Sequence, residues 1–338
     1  MSKTSTVSNE SEKTFQGIRP ASKSRTHRKL FIIVGGIVSI LVVGLSLGLG
    51  LGLGLHKSTN SNAVTASPTT SSAATTYAPR SAWQPAVNTS FNYQLSVLPA
   101  SDNPYGIAVW FIDLFASTAD LITGLQNNGA KVVCYFSAGS SEDWRPDFRK
   151  FTASDLGANL TGWQGERWLN ARSSTVRAVM SARMDQAVSK KCDGVDPDNM
   201  DAYDNDGGGL NLTGSDAADY ARWLASEASS RNLAIGLKNA AVIIPKVIDV
   251  MQWSVNEQCV NLTECDTFSA FIKAGKPVFN VEYPKGEEID NDDPIPVGQL
   301  NEICDQQKND HQGFSTILKN MNLDTWIEFC NGTSAVLT

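Results

Sequence analysis

Lys190 to Tyr203 reads KKCDGVDPDNMDAY, and it places four acids, Asp193, Asp196, Asp198 and Asp201, around one short apolar core. Cys192 to Asp198 fits a buried strand whose far end opens into an acidic loop. An acidic surface turn is the plain alternative, and the rest of the chain decides between them. From residue 90 onward, strand patterns alternate with helical ones, which implies a parallel sheet. The strand candidates are Phe91 to Val97, Gly106 to Leu114, Lys131 to Ser137, Cys192 to Asp198, Leu233 to Asn239, Trp253 to Glu257, Pro277 to Tyr283 and Phe314 to Lys319.

The clearest helix is Ser174 to Lys190, where Val176, Val179, Met180, Met184, Ala187 and Val188 form an apolar stripe and Lys190 and Lys191 complement the C-terminal dipole. A second runs from about Ser215 to Arg231. Eight strands with intervening helices over about 250 residues match a (β/α)8 TIM-type barrel in the α/β class. An open doubly wound sheet would carry a glycine-rich phosphate loop after its first strand. The GLGLGLG run lies instead inside a long apolar segment.

In a barrel, chemistry gathers where strands end. The polar groups at those ends are Asp113, Ser137, Asp196, Asp198, Asn199, Lys238, Asn239, Asn256, Glu257, Gln258 and Glu282. The only histidines are His27, His56 and His311, which argues against a serine-hydrolase triad. Several carboxylates in one cleft suit glycoside hydrolysis, in which one donates a proton to the leaving oxygen and another attacks or stabilises the anomeric carbon. Calcium is a weaker reading of Asp204 to Gly209. Setting Gly209 at the invariant glycine of an EF-hand loop puts Ser215 where a bidentate Glu is needed. No Cys or His spacing points to zinc, and no cofactor or metal is expected.

The N-terminal quarter reads as a delivery device. Residues 1 to 29 form a polar, basic tail with too little apolar surface to fold alone. Leu30 to Leu55 is 26 residues without a charge, long enough as a helix to cross a hydrocarbon core of about 30 Å. A cleaved signal peptide is the rival, but the run is about twice the usual length and lacks an evident cleavage site. Arg25, Arg28 and Lys29 precede it and only Lys57 follows, which predicts a type II single-pass membrane protein with its C-terminal bulk lumenal or extracellular. Gly44, Gly48 and Gly52 would let two such helices pack together. Residues 56 to 80 form a Ser/Thr/Pro-rich flexible stalk, leaving 81 to 338 for the barrel.

Five Asn-x-Ser/Thr sites, at Asn88, Asn159, Asn211, Asn261 and Asn331, and all six cysteines lie beyond the span. Cys259 with Cys265 is the best local disulfide, then Cys304 with Cys330, while Cys134 and Cys192 read as buried free thiols. The formal charge is −7 overall and +5 over residues 1 to 30, so residues 31 to 338 carry −12. That excludes nucleic acid as a natural partner of the folded part and favours a cationic or neutral one.

Six segments carry a resemblance: CYFSAGSSEDWRPDF (Cys134 to Phe148), GWQGERWLNARS (Gly162 to Ser173), CDGVDPDNMDAY (Cys192 to Tyr203), GLKNA (Gly236 to Ala240), VNEQC (Val255 to Cys259) and AGKPVFNVEY (Ala274 to Tyr283). Through them the chain resembles the fungal endo-α-1,4-polygalactosaminidases, glycoside hydrolase family 114. The resemblance implies a barrel that cleaves α-1,4-linked galactosamine in galactosaminogalactan, with Asp198 and Glu257 as the catalytic pair. The family often has Glu two residues before the catalytic Asp, where this chain has Asp196. By analogy with barrel glycosidases, Asp198 is the nucleophile and Glu257 the acid/base of a retaining reaction, which requires carboxyl groups roughly 5 to 5.5 Å apart.

A cationic polysaccharide substrate would be met by Asp113, Asp201 and Glu282 at its ammonium groups and by Tyr135 or Trp163 stacking on a sugar face. Asn199 and Asn239 complete the expected binding set. Lys238, held protonated among acids, would orient a carboxylate or a sugar hydroxyl. Asp193 reads as structural and Asp196 as a supporting group. The alternative of another class is a membrane-tethered lectin or an inactive barrel, against which stands the retention of both Asp198 and Glu257.

Overall fold

A computed structural model describes residues 83–286 and 294–337. The expected membrane span, basic tail and stalk lie outside these residues. Among the described residues, no helix is long and apolar enough to cross a membrane.

Eight strands pair in parallel in chain order: β1 (Phe91–Gln94), β2 (Val109–Asp113), β3 (Lys131–Ser137), β7 (Gly194–Asp198), β8 (Ala234–Lys238), β9 (Trp253–Glu257), β10 (Val278–Glu282) and β11 (Phe314–Leu318). They match the eight expected strands, and together they form an α/β barrel. Two antiparallel strands, β12 (Trp326–Phe329) and β13 (Ser334–Val336), extend the sheet beyond β11. The seam between β1 and β11 is joined by separate contacts. Ser315 Oγ donates to Thr89 O at 2.7 Å, Leu95 N to Leu323 O at 2.9 Å, and Gln94 Nε2 to Leu337 O at 3.3 Å.

The parallel strands are nearly continuous runs of buried residues, as a sheet covered on both faces requires. The interior is aromatic: the rings of Phe91, Phe111, Trp253 and Phe279 stand 4.8 to 6.5 Å apart in tilted and edge-on pairs. Room for the Trp253 indole comes from Gly236 on the neighbouring strand, where an added Cβ would lie 1.9 Å from Trp253 Nε1.

Helices cover six of the crossovers: α1 (Ala119–Asn127), α2 (Ser174–Ser189), α3 (Gly214–Ser230), α4 (Ile244–Val247), the pair α5 (Cys259–Leu262) and α6 (Cys265–Lys273), and α7 (Val297–Asn309). The regular (β/α)8 rhythm fails in two places. Residues 95–108, rich in turn formers such as Pro99, Asn103, Pro104 and Gly106, join β1 to β2 without a helix, and β11 is followed by strands.

Ser173 caps α2 by accepting from Thr175 N and Val176 N. Its buried face holds Val176, Val179, Met180, Met184 and Ala187, and full burial of each Val and Met contributes roughly 1.5 to 3 kcal/mol. Val188, expected in that stripe, is 44% exposed, in the last turn of the helix. Arg183 takes the buried place, pairing with Asp147 at 2.9 Å and donating to Ser137 O at 2.7 Å. Lys190 does not serve its own helix end. Its Nζ donates to Leu114 O, Phe115 O and Ser117 O at 2.6 to 3.1 Å and fastens the loop after β2.

All six cysteines are paired: Cys134–Cys192, Cys259–Cys265 and Cys304–Cys330. The expectation of free thiols at Cys134 and Cys192 is corrected, since parallel pairing of β3 with β7 brings the two Cα atoms to 6.0 Å. The bridge spans 58 residues, a loop whose closure entropy corresponds to about 4 kcal/mol. Cys134→Ser with Cys192→Ser is therefore expected to lower the denaturation midpoint and to steepen the slope, because the freed unfolded chain exposes more surface. An unaltered midpoint in guanidinium would show that the bridge adds nothing.

Candidate active site

Three consecutive strands each end on a charged residue, and these three residues meet. Asp198 closes β7, Lys238 closes β8 and Glu257 closes β9. Each is followed by a residue in the left-handed region, Asn199 (φ 61°), Asn239 (φ 48°) and Gln258 (φ 60°). The chain thus leaves each strand abruptly while the terminal side chain stays in the cleft. Asn tolerates that conformation better than other non-glycine residues, and Gln258 holds it at some strain.

Lys238 Nζ lies 3.2 Å from Asp198 Oδ2 and 2.9 Å from Glu257 Oε2. The two carboxylate oxygens are therefore no farther apart than the sum of those distances, 6.1 Å. Lys238 is 2% exposed, and its ammonium also sits 5.2 Å from the Tyr93 ring centre and 5.9 Å from that of Tyr135. Burial opposes its charge, but Asp198, Glu257 and Asp196 outweigh burial and raise its pKa above the ordinary lysine value.

Each acid has a phenol of its own. Tyr135 Oη donates to Asp198 Oδ2 at 3.1 Å, Tyr283 Oη to Glu257 Oε1 at 2.5 Å, and Tyr93 Oη to Asp196 Oδ2 at 2.8 Å. Burial first, and then the neighbouring negative charges, raise all three phenols well above their usual range, so they remain donors. Asn199 N donates to Asp198 Oδ1 at 2.7 Å, and Asn239 exchanges two hydrogen bonds with Glu257, through Nδ2 to Oε2 and Oδ1 from N. Burial pushes Glu257 up, but Lys238, Tyr283 and Asn239 together hold it below the usual carboxylate range. Asp196, wholly buried beneath them, is pushed up to about 7 by burial, with Lys238 opposing and Asp198 adding to the rise.

The profile described as glycoside-hydrolase family GH114 matches residues 72–335. The chain belongs to family GH114. The crystal structure of Aspergillus fumigatus Ega3 in complex with galactosamine is 52% identical, covers 73% of this chain and 97% of its own, and superposes with a TM-score of 0.70. The glycoside hydrolase domain of PelA from Pseudomonas aeruginosa shares the fold at 13% identity, covering 70% of this chain and 96% of its own with a TM-score of 0.53. Comparison with curated proteins gave no match. As a member of GH114 the chain is a glycoside hydrolase, and the paired carboxylates are the chemistry that a glycosidic bond requires.

Other residues expected in the GH114 site sit differently. Asp113 is not open to a ligand. Arg145 grips both its oxygens at 3.1 and 2.7 Å, and Phe115 N and Ala116 N donate to Oδ1. Glu282 is 1% exposed and accepts from Val260 N at 2.9 Å, facing the Cys259–Cys265 bridge rather than Lys238. Cys259, Cys265 and Glu282 are the one grouping of potential metal-ligating atoms among the described residues, and its sulfurs are committed to the disulfide.

Trp163, in the turn before β6 (Glu166–Leu169), is 44% exposed and so is not a core residue. Asp201 stands at a 3-10 turn just after Asp198 and is pushed up to about 6 by burial and then by the Asp198 charge. Asp193 is structural: it pairs with Lys131 at 2.6 Å and accepts from Val132 N and Gln126 Nε2.

Sequence reading missed the phenols Tyr93 and Tyr283 and the acidic pair Glu142 and Glu166. A signal for Tyr283 existed, since it directly follows the seventh strand in AGKPVFNVEY. The two glutamates belong to a three-stranded antiparallel sheet of β4 (Ser140–Glu142), β5 (Leu156–Asn159) and β6, whose strands are too short and too polar to announce themselves.

Burial raises Asp196 and Glu282 to about 7, Asp201 to about 6 and Glu166 to about 8. Between the unfolded carboxyl value and these folded values the native state holds more protons than the unfolded one, so stability falls as pH rises. Glu257 acts oppositely, and its contribution is lost only as pH falls through its depressed folded value. The melting temperature is accordingly expected to peak near pH 5 and to decline toward pH 8. A melting curve flat across that range would refute these assignments.

Proposed function

We propose that the chain is an endo-acting α-1,4-polygalactosaminidase that cleaves galactosamine polymer by a retaining mechanism. The observation that carries the reading is the single ammonium of Lys238 holding Asp198 and Glu257 within 6.1 Å, the sum of its 3.2 and 2.9 Å contacts. A cation shared by one oxygen of each group supports the close carboxyl pair of a retaining site over the roughly 6.5 to 9.5 Å separation that an inverting water needs. Support for the substrate comes from the 52% identity to Ega3, solved with galactosamine, and from the charge of −12 outside the basic tail.

In this reading Asp198 attacks the anomeric carbon while Glu257 gives its proton to the departing glycosidic oxygen. Glu257 then takes a proton from the water that releases Asp198. Glu257 is ionised in the free site; in this reading sugar hydroxyls displace the Lys238 contact, burial then raises the carboxyl, and Glu257 takes up a proton from solvent before it donates to the leaving oxygen. Incubating residues 81–338 with deacetylated galactosaminogalactan is expected to release oligosaccharides whose first-formed anomers are α. Absence of product would return the chain to the lectin reading, and β anomers would mean inversion.

We further propose that residues 30–55 anchor the enzyme as a type II membrane protein, with residues 56–80 as a stalk and the barrel outside the cytoplasm. Three disulfides and the exposure of all five sequon asparagines support this. The full chain is expected in the carbonate-resistant membrane fraction, with a mobility that shifts on enzymatic removal of N-glycans. Its recovery in the carbonate supernatant would refute the anchor.

A further inference from the structure

We propose that Glu166 is a positioning residue for the reaction, holding Asp198 in place through Ser140, Ser137 and Asn199; this rests on the reading of Asp198 as the nucleophile. Glu166 lies on the small side sheet, 7% exposed, with Glu142 opposite it in register. Ser140 Oγ donates to Glu166 Oε2 at 2.6 Å. A serine hydroxyl has one proton. The 2.6 Å contact between Ser137 Oγ and Ser140 Oγ must then be donated by Ser137. With both protons committed, the two hydroxyls offer only lone pairs to Asn199, whose Nδ2 reaches Ser137 Oγ at 2.9 Å and Ser140 Oγ at 3.3 Å. The acceptor at Glu166 thus sets the direction of every hydrogen bond in the row.

The row ends on the reacting carboxylate. Asn199 holds a left-handed backbone (φ 61°) and from it directs its N–H to Asp198 Oδ1 at 2.7 Å. The same loop clamps the main chain there. Ala138 N and Gly139 N both donate to Asp198 O at 2.9 Å, and a Cβ on Gly139 would lie 1.6 Å from Asn199 O. The other Asp198 oxygen is held by Lys238 and Tyr135. Asn199 N therefore opposes rotation of the carboxylate away from its line of attack. Without an acceptor at position 166, the Ser140 proton turns toward Ser137, the Asn199 amide loses acceptors, and that restraint loosens.

The test uses Glu166→Ala, Glu166→Gln, Ser140→Ala and the Glu166→Ala/Ser140→Ala double variant. Each is assayed for kcat and KM per folded molecule, counted from near-ultraviolet circular dichroism. Glu166→Ala and Ser140→Ala are expected to lower kcat by about ten- to a hundredfold, as small misplacements of a reacting group do, with KM changed less than about twofold. Gln keeps the acceptor, so Glu166→Gln stays within about threefold of the parent. The double variant is no worse than the poorer single, because both break one row.

Equal losses for Glu166→Ala and Glu166→Gln, a rise confined to KM, additive losses in the double variant, or unchanged kcat would each overturn the proposal. Should Glu166→Ala fail to fold, Glu166→Gln and Ser140→Ala decide alone. A parent chain without activity, or Asp198→Asn with full activity, would instead sink the functional reading itself.

Discussion

Asp198→Asn and Glu257→Gln each reduce turnover of galactosamine polymer by on the order of ten-thousandfold, the scale seen when one member of a catalytic unit is removed. Both substitutions preserve shape and one acceptor oxygen, so each keeps the hydrogen bonds at that oxygen and loses only those at the other, from Asn199 or Tyr135 in one variant and from Tyr283 or Asn239 in the other. Melting temperatures should therefore move far less than rates. Azide separates the two roles. With Asp198→Ala, azide enters from the vacated face and yields a β-glycosyl azide. With Glu257→Ala on an activated substrate, it intercepts the glycosyl-enzyme and yields the α form. Azide products exchanged between the two variants would reverse the roles, and activity surviving both substitutions would remove the pair from the mechanism.

The second large effect belongs to Lys238→Met, which leaves Asp196, Asp198 and Glu257 facing one another in a buried space without their cation. Breaking a buried ion pair from one side costs about 3 to 5 kcal/mol. For a domain of this size that is on the order of a 10 °C loss in melting temperature. The sign with pH follows from Glu257. Its depressed folded value stabilises the native protein above the unfolded carboxyl value. Without Lys238, burial raises Glu257 instead, and the native state then gains protons relative to the unfolded one. The deficit should be greatest near pH 8 and shrink toward pH 5. A deficit equal at both would mean that Lys238 acts by packing alone.

The eight barrel strands were legible because each is a short apolar run bounded by turn formers, and the pattern survives whatever the loops do. Asp198, Lys238 and Glu257 were legible for a related reason: each is a charged residue that closes a buried strand. Asp113 ends a strand too, yet the cation that occupies it, Arg145, comes from a loop 32 residues on, and no local pattern pairs them. Ser140 and Ser141 are polar but wholly buried, their hydroxyls satisfied by a glutamate and a carbonyl from β6, so period-two alternation is absent. Cys134 and Cys192 looked like core residues because they are, and only the pairing of β3 with β7 makes them a bridge.

The seam between β1 and β11 bears on how the chain is made. Gln94 reaches Leu337 across 243 residues, and Leu95 N is received by Leu323 O. During synthesis β1 can pair with β2 early, while its other edge waits for residues that emerge far later. At an elongation rate of about 5 to 20 residues per second, that wait is tens of seconds or less. Through it an unfinished sheet edge stands open to wrong partners. Chaperone occupancy, followed along the nascent chain, should persist until residues near 337 have cleared the ribosome, whichever compartment receives them.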